Sequence, residues 1–137
     1  RDELIVIRNY DELSSIESIR LKKSSKWHNG LFKSRNTLKT KISGNKNLLF
    51  VPEHLYNDGL YVRNWKHGDK IVSATCGSNV LISDIFVDNK LSKYDKLIQP
   101  ILVDNLDTLL WIPGLMHGDI YFNEKSKLKK VIEWVKV

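Results

Sequence analysis

The sequence predicts an α+β fold, a small and mostly antiparallel β domain with two or three short helices packed on one side. Three observations lead there. The apolar runs are short, and Asn29-Gly30, Gly44-Asn45, Asn57-Asp58-Gly59 and Pro113-Gly114 punctuate them with turn chemistry. Several runs alternate apolar and polar residues, as half-buried strands do. Helical spacing is clear only around 80–89 and 92–97.

Leu4–Arg8 (LIVIR) reads as a buried strand, broken by Asn9-Tyr10-Asp11. Residues 12–21 fit either a helical face (Leu13, Ile16, Ile19) or a strand (Ile19, Leu21). Ser24–Gly30 reads as a loop, with Asn29-Gly30 as the hairpin turn. Leu31–Ile42 is a half-exposed strand, with Leu38, Thr40 and Ile42 on one side and Lys39 and Lys41 on the other. Asn47–Val51 is a further strand, stopped by Pro52, and Glu53–Tyr56 makes one helical turn.

Leu60–Trp65 alternates and ends at His67-Gly68-Asp69. Ser73–Asn79, small and polar, reads as a mobile loop. Val80–Asn89 is a helix, capped by Ser83 or Asn79. A second helix starts at Ser92 and runs through Leu97, with Asp95 in its first turns favouring the positive end of the dipole. Ile101–Val103 and Leu109–Ile112 form a hairpin closed by Pro113-Gly114. The tail fits a helical face (Leu128, Val131, Ile132, Val135) or strand alternation (Val131, Glu133, Val135, Val137), and its β-branched residues favour the strand.

The 137 residues, 42% of them hydrophobic, suffice for one domain or two very small lobes. We divide them into a basic, β-rich segment 1–52 and a second domain 53–137. No apolar run approaches the ~20 residues that span a bilayer. No signal peptide is visible, and one cysteine, Cys76, rules out an internal disulfide and fits the reducing cytoplasm. The chain opens on Arg1 rather than Met, as a piece of a longer protein would.

The net charge of +6 is unevenly placed. Nine of the 22 basic residues fall between Ser18 and Pro52, an interval without acids, which leaves 13 against the chain's 16 acids elsewhere. Such a block attracts a polyanion by Coulomb attraction and counterion release. It also fits a plain solvated surface. Trp27, His28 and Phe32 lie among the cations, where flat rings either stack on bases or form a local core. Lys22, Lys23, Lys26, Lys33 and Arg35 make one candidate RNA-binding face; Arg63, Lys66, Lys70, Lys90 and Lys93 make another. Arg63 offers a planar fork to a phosphate.

Catalytic and metal motifs are sparse. The four histidines and single cysteine show no metal-ligand spacing. Asp84 and Asp88, at i and i+4, suit acid–base work with His117 or holding a metal or, more simply, capping neighbouring turns or pairing with Arg63, Lys90 or Lys93. No Gly-rich phosphate loop occurs.

The order and spacing of LYVRNWKHGDK (60–70), SDIFVDNKLSKYDK (83–96), QPILVDN (99–105) and LLWIPGL (109–115) resemble the C-terminal domain of the tRNA(Ile)-lysidine synthetase family, best over 55–120. The chain departs from the family pattern at three places. Ser73 stands where Pro is usual, Val80-Leu81 stand near a Lys-Lys pair, and Met116-His117-Gly118 stand where an Arg often follows. The resemblance implies a small β-rich domain that binds the acceptor arm of isoleucine tRNA. It implies a catalytic domain of the same polypeptide that uses ATP to attach lysine to the wobble cytidine. That domain's Ser-Gly-Gly-x-Asp-Ser loop is absent here, so the resemblance implies a chain with no cofactor and no catalytic residue of its own, its ligase chemistry lying N-terminal to Arg1. The alternative is a basic RNA- or protein-interaction module without tRNA specificity.

Overall fold

Turn chemistry decides where the strands of this chain end, and pairing over long sequence distances decides how they join. The computed structural model describes residues 18–37, 44–74, 77–119 and 128–137. The strand expected at Leu4–Arg8 and the alternation expected at Leu38–Ile42 lie outside them.

In chain order the elements are β1 (Ser18–Arg20), β2 (Ser24–Trp27), β3 (Gly30–Asn36), β4 (Leu48–Pro52), α1 (Glu53–Asp58) and β5 (Leu60–Arg63). There follow β6 (Lys70–Val72), β7 (Asn79–Leu81), α2 (Ile82–Asp88), α3 (Lys93–Ile98), β8 (Ile101–Asp104), β9 (Leu109–Ile112), β10 (Met116–His117) and β11 (Leu128–Lys136). They form a five-stranded sheet β1-β5-β8-β9-β10, a four-stranded sheet β2-β3-β11-β4 and the ribbon β6-β7, with antiparallel pairing throughout. The α+β expectation holds. So does the strand reading of the tail, which becomes the long inner strand β11.

The five-stranded sheet is covered on both faces. Leu60, Val62, Leu102 and Leu110 on one face pack with Trp27, Phe32, Leu49, Val51, Ile132 and Trp134 of the four-stranded sheet. Ile101, Val103 and Ile112 on the other face meet Ile71 of β6 and Ile82, Ile85 and Phe86 of α2. The first core therefore draws residues from both sides of the expected boundary at Pro52. The helices do not share one side, as had been expected: α2 lies in the second core, while Leu55 and Tyr56 of α1 pack on the first. Two apolar faces on one sheet need two covers, and different helices supply them. Among the described residues no helix is long and apolar enough to cross a membrane.

Several local expectations shift, each for a stated cause. Ser24–Trp27 is strand rather than loop, because its alternating pattern buries Ser25 and Trp27. The hairpin turn falls on His28-Asn29, one residue before the expected Asn29-Gly30, since Trp27 pairs with Gly30. His28 takes the positive φ of 46°. Gly30 is needed inside the strand, where a Cβ would lie 2.0 Å from Trp134 Cη2. Neither Ser83 nor Asn79 caps α2, whose N-cap is Leu81 with no side-chain bond; Asn79 is occupied in β7. Ser92 does cap α3. Its Oγ accepts from the Asp95 N–H while Asp95 accepts from the Ser92 N–H, a reciprocal box. At the start of the expected mobile loop, Ser73 is buried and bridges to Gly118.

Two substitutions test these placements by urea unfolding. Gly30→Ala should destabilise the chain by about 2 kcal/mol, because the tilted Phe32–Trp134 ring pair at 4.6 Å leaves the indole no room to retreat. Ser92→Ala should cost about 1 kcal/mol through loss of the α3 cap.

Candidate nucleic-acid interface

The ten candidate cations fall into three situations. Arg63 ends β5 and is buried, its side chain 5% exposed. All five of its guanidinium N–H groups are engaged inside the fold. Nε donates to Asp107 Oδ1 at 2.9 Å and Nη2 to Asp107 Oδ2 at 3.4 Å. Nη1 donates to Asp69 Oδ2 at 2.9 Å and to the Asn64 carbonyl at 2.8 Å, and Nη2 donates to Asp69 Oδ1 at 3.1 Å. No donor remains for a phosphate, so Arg63 is a structural pin and not an RNA ligand. Burial pushes its pKa down, but hydrogen bonds and charge from Asp69 and Asp107 outweigh this and hold it above its ordinary value.

Asp69 both orients Arg63 and accepts a backbone bond, from the Lys66 N–H at 2.6 Å. Asp107 is the partner that sequence reasoning missed. It lies 44 residues from Arg63, held at φ 63° in a turn where Asp104 accepts from the Leu106 and Thr108 N–H groups. The pin thus ties the β5–β6 turn to the β8–β9 turn and fixes how Lys66 and Lys70, both exposed, leave the surface. Asp84 and Asp88 are exposed on α2, and neither is among these Arg63 partners.

Lys90 and Lys93 are exposed beyond α2, Lys90 at φ 56°. Lys90 lines a cavity of about 300 Å³ with Asp95, Gln99, Trp134 and Lys136. The remaining five cations belong to the four-stranded sheet and its approach. Lys26, Lys33 and Arg35 project from its outer face, where alternation puts Trp27, Phe32 and Ser34 inward. Trp27 and Phe32 are core residues and are not available to stack on bases. Arg35 meets Glu133 at 3.6 Å, a pair too exposed to contribute much. Lys22 and Lys23 are exposed before β2, where their carbonyls accept from the Ser34 Oγ and N–H at 3.1 and 2.9 Å. Lys130, which sequence reasoning did not include, lies on β11 opposite Asn36 of β3. Only pairing over nearly a hundred residues brings it there, and no local signal marks it.

His117 is half-buried. Its ring lies parallel to Trp111 with centroids 6.3 Å apart, and its Nε2 is 2.7 Å from the Leu48 carbonyl. Burial lowers its pKa, an effect that the Leu48 bond opposes and the charge of Lys46 adds to. Burial lowers the pKa of His28 as well. Trp111 is fully buried in the core, with Nε1 donating to the Lys46 carbonyl. Among the described residues no group of three or more His, Cys, Asp or Glu side chains is placed to hold a metal.

No family model matches the chain. In sequence it is 36% identical over 61 residues to the tRNA(Ile)-lysidine synthase of Shouchella clausii, matching 44% of this chain and 13% of that protein. It is 35% identical over 77 residues to the tRNA(Ile)-lysidine synthase of Bacillus licheniformis, matching 55% and 16%. The chain therefore spans only a small part of the length of these curated relatives. Among solved structures, the crystal structure of the TILS C-terminal domain superposes with a TM-score of 0.77 at 17% identity, covering 90% of this chain and 98% of that one.

Two predictions follow from the buried groups. Arg63→Met should destabilise the chain by about 3 kcal/mol in urea unfolding, chiefly by stranding Asp69, and Arg63→Lys should restore only part of this because an ammonium cannot fork between two carboxylates. With the histidine pKa values lowered in the fold, stability is present above 6.5 and is lost as pH falls from there through the lowered values. The thermal midpoint should drop between pH 7 and 5, and less steeply in His117→Gln.

Fold and sequence together thus relate this chain to the C-terminal domain of tRNA(Ile)-lysidine synthase, the relationship its motifs imply.

Proposed function

We infer that this chain is a tRNA-recognition domain, working beside a catalytic domain of the same polypeptide that uses ATP to attach lysine to the wobble cytidine of isoleucine tRNA. The observation that carries the reading is the match to the TILS C-terminal domain over 90% of the chain. In this reading the domain holds the acceptor arm, far from the reacting base. Gripping a remote part of the substrate converts an encounter into a positioned reaction, which is how a non-catalytic domain accelerates chemistry elsewhere.

The exposed cations Lys66, Lys70, Lys90 and Lys93, with Lys22, Lys23, Lys26, Lys33 and Arg35 of the four-stranded sheet, are the phosphate contacts of this reading. The chain itself needs no cofactor in it, ATP and lysine belonging to the catalytic part, and the place of action is the cytoplasm, where tRNA is modified. One observation favours the alternative of a basic module without tRNA specificity. Leu81, near the family's Lys-Lys position, is an exposed apolar side chain on β7.

The two readings separate in a binding titration of the chain at several salt concentrations. A tRNA-recognition domain prefers isoleucine tRNA to an unrelated folded RNA of equal length. If about four phosphates are neutralised, log K against log salt falls with a slope of about −3 to −4. A flat salt response removes the RNA reading, and equal affinity for both RNAs favours the module.

A further inference from the structure

Lys130 lies outside the basic block of 18–52, yet it helps to wall a cationic hollow. Lys23, Ser34, Arg35, Asn36, Tyr56 and Lys130 line a cavity of about 330 Å³. None of the six is an acid, and Lys23 and Lys130 supply the hollow's ammonium charge, since alternation sends the Arg35 side chain to the outer face.

The backbone builds the hollow. The Ser34 N–H and Oγ tie β3 to the Lys23 and Lys22 carbonyls, which brings Lys23 beside the strand. Across β11, Lys130 pairs with Asn36 and Val131 with Arg35. Between Leu128 and Lys130 the register with β4 shifts, so that Leu128 faces Pro52 and Lys130 faces Val51. An irregularity of this kind re-aims a side chain at the edge of a site. Tyr56 enters from α1, and Lys130 Nζ stands 4.8 Å from its ring centroid. The ring quadrupole attracts the ammonium without neutralising it, as a carboxylate would. The Arg35 guanidinium turns away to the outer face, where it meets Glu133 at 3.6 Å.

We propose that this hollow is a phosphodiester seat, which takes one backbone phosphate of a bound RNA. Lys23 and Lys130 act as point charges, and Tyr56 is a positioning residue that acts through Lys130. The proposal rests on the RNA reading above and names where the backbone is gripped. A phosphodiester fits better than an acidic peptide. The lining is cations, short polar groups and a ring already covered by an ammonium, with no aliphatic side chain for a peptide to pack on.

The test follows side-chain and amide NMR signals of the 137-residue chain during titration with inorganic pyrophosphate, isoleucine tRNA and poly-glutamate. Pyrophosphate should shift the Asn36 amide and the Tyr56 ring first, and the double variant Lys23→Gln/Lys130→Gln should lose those shifts, while Arg35→Gln should keep them. With tRNA the double variant should bind about tenfold more weakly, its salt slope reduced by about one. Tyr56→Leu, which changes no charge, should weaken binding by about threefold, and Tyr56→Phe should restore it.

Pyrophosphate shifts spread evenly over Lys66, Lys70 and the other exposed lysines overturn the proposal. So does poly-glutamate seated there as tightly as RNA. Normal tRNA binding with an unresponsive hollow overturns the seat and leaves the tRNA reading intact. A chain that ignores tRNA but still seats pyrophosphate in the hollow, and loses it in the double variant, overturns the tRNA reading and supports a seat for another RNA.

Discussion

Everything in the four-stranded sheet depends on β11 lying between β3 and β4. Those two strands have no ladder with each other; each pairs with β11. The insertion places Ile132 and Trp134 in the core and closes it against the five-stranded sheet. It also sets which cations become neighbours. Because side chains alternate along a strand, a slip of one residue would turn Trp134 out to solvent and carry Lys130 to the opposite face. Core and basic surface therefore share one register. Gly30 defends it by giving the indole a place that no other residue leaves open.

The Arg63 network shows how a basic chain uses part of its charge internally. A guanidinium that binds RNA must keep donors and solvent access. Arg63 has neither, and the two carboxylates around it are unequal. Asp69 is nearly buried, with a side-chain exposure of 12%, while Asp107 is 59% exposed. The Asp69 side is where desolvation makes the pair costly to break, and the Asp107 side is screened by water. The network is a hinge pin between two turns. Its value to a basic surface is indirect, since it fixes the backbone from which Lys66 and Lys70 project.

Local chemistry was legible in the sequence, and long-range partnership was not. The Ser92–Asp95 box, the strand ends at Pro52 and Pro113-Gly114, and the β-branched tail each act through neighbours a few residues away. Their physics is written locally. The hairpin turn at His28-Asn29 shifted by one residue because the competing demand on Gly30 came from Trp134, more than a hundred positions later. Arg63 read as a phosphate ligand because nothing near it reveals Asp107 across a different hairpin. Lys130 stood in an ambiguous amphipathic tail, and only its pairing with β3 gives it basic company. Burial of Trp27 and Phe32 likewise settles a choice that composition left open between stacking platform and core.

These placements bear on how a charged surface of this kind attains affinity. Exposed lysines contribute mainly through released counterions, each modestly and almost interchangeably, so they set strength and salt response more than position. Position requires side chains whose freedom is already spent before the ligand arrives. Along the described cations that condition is best met where a ring holds an ammonium, a strand pair aligns an amide with it, and a register shift aims it. A domain that has to orient a large nucleic acid for chemistry performed elsewhere needs a few such fixed points among many mobile charges. In the proposed reading, the same β11 register that completes the core supplies one of them.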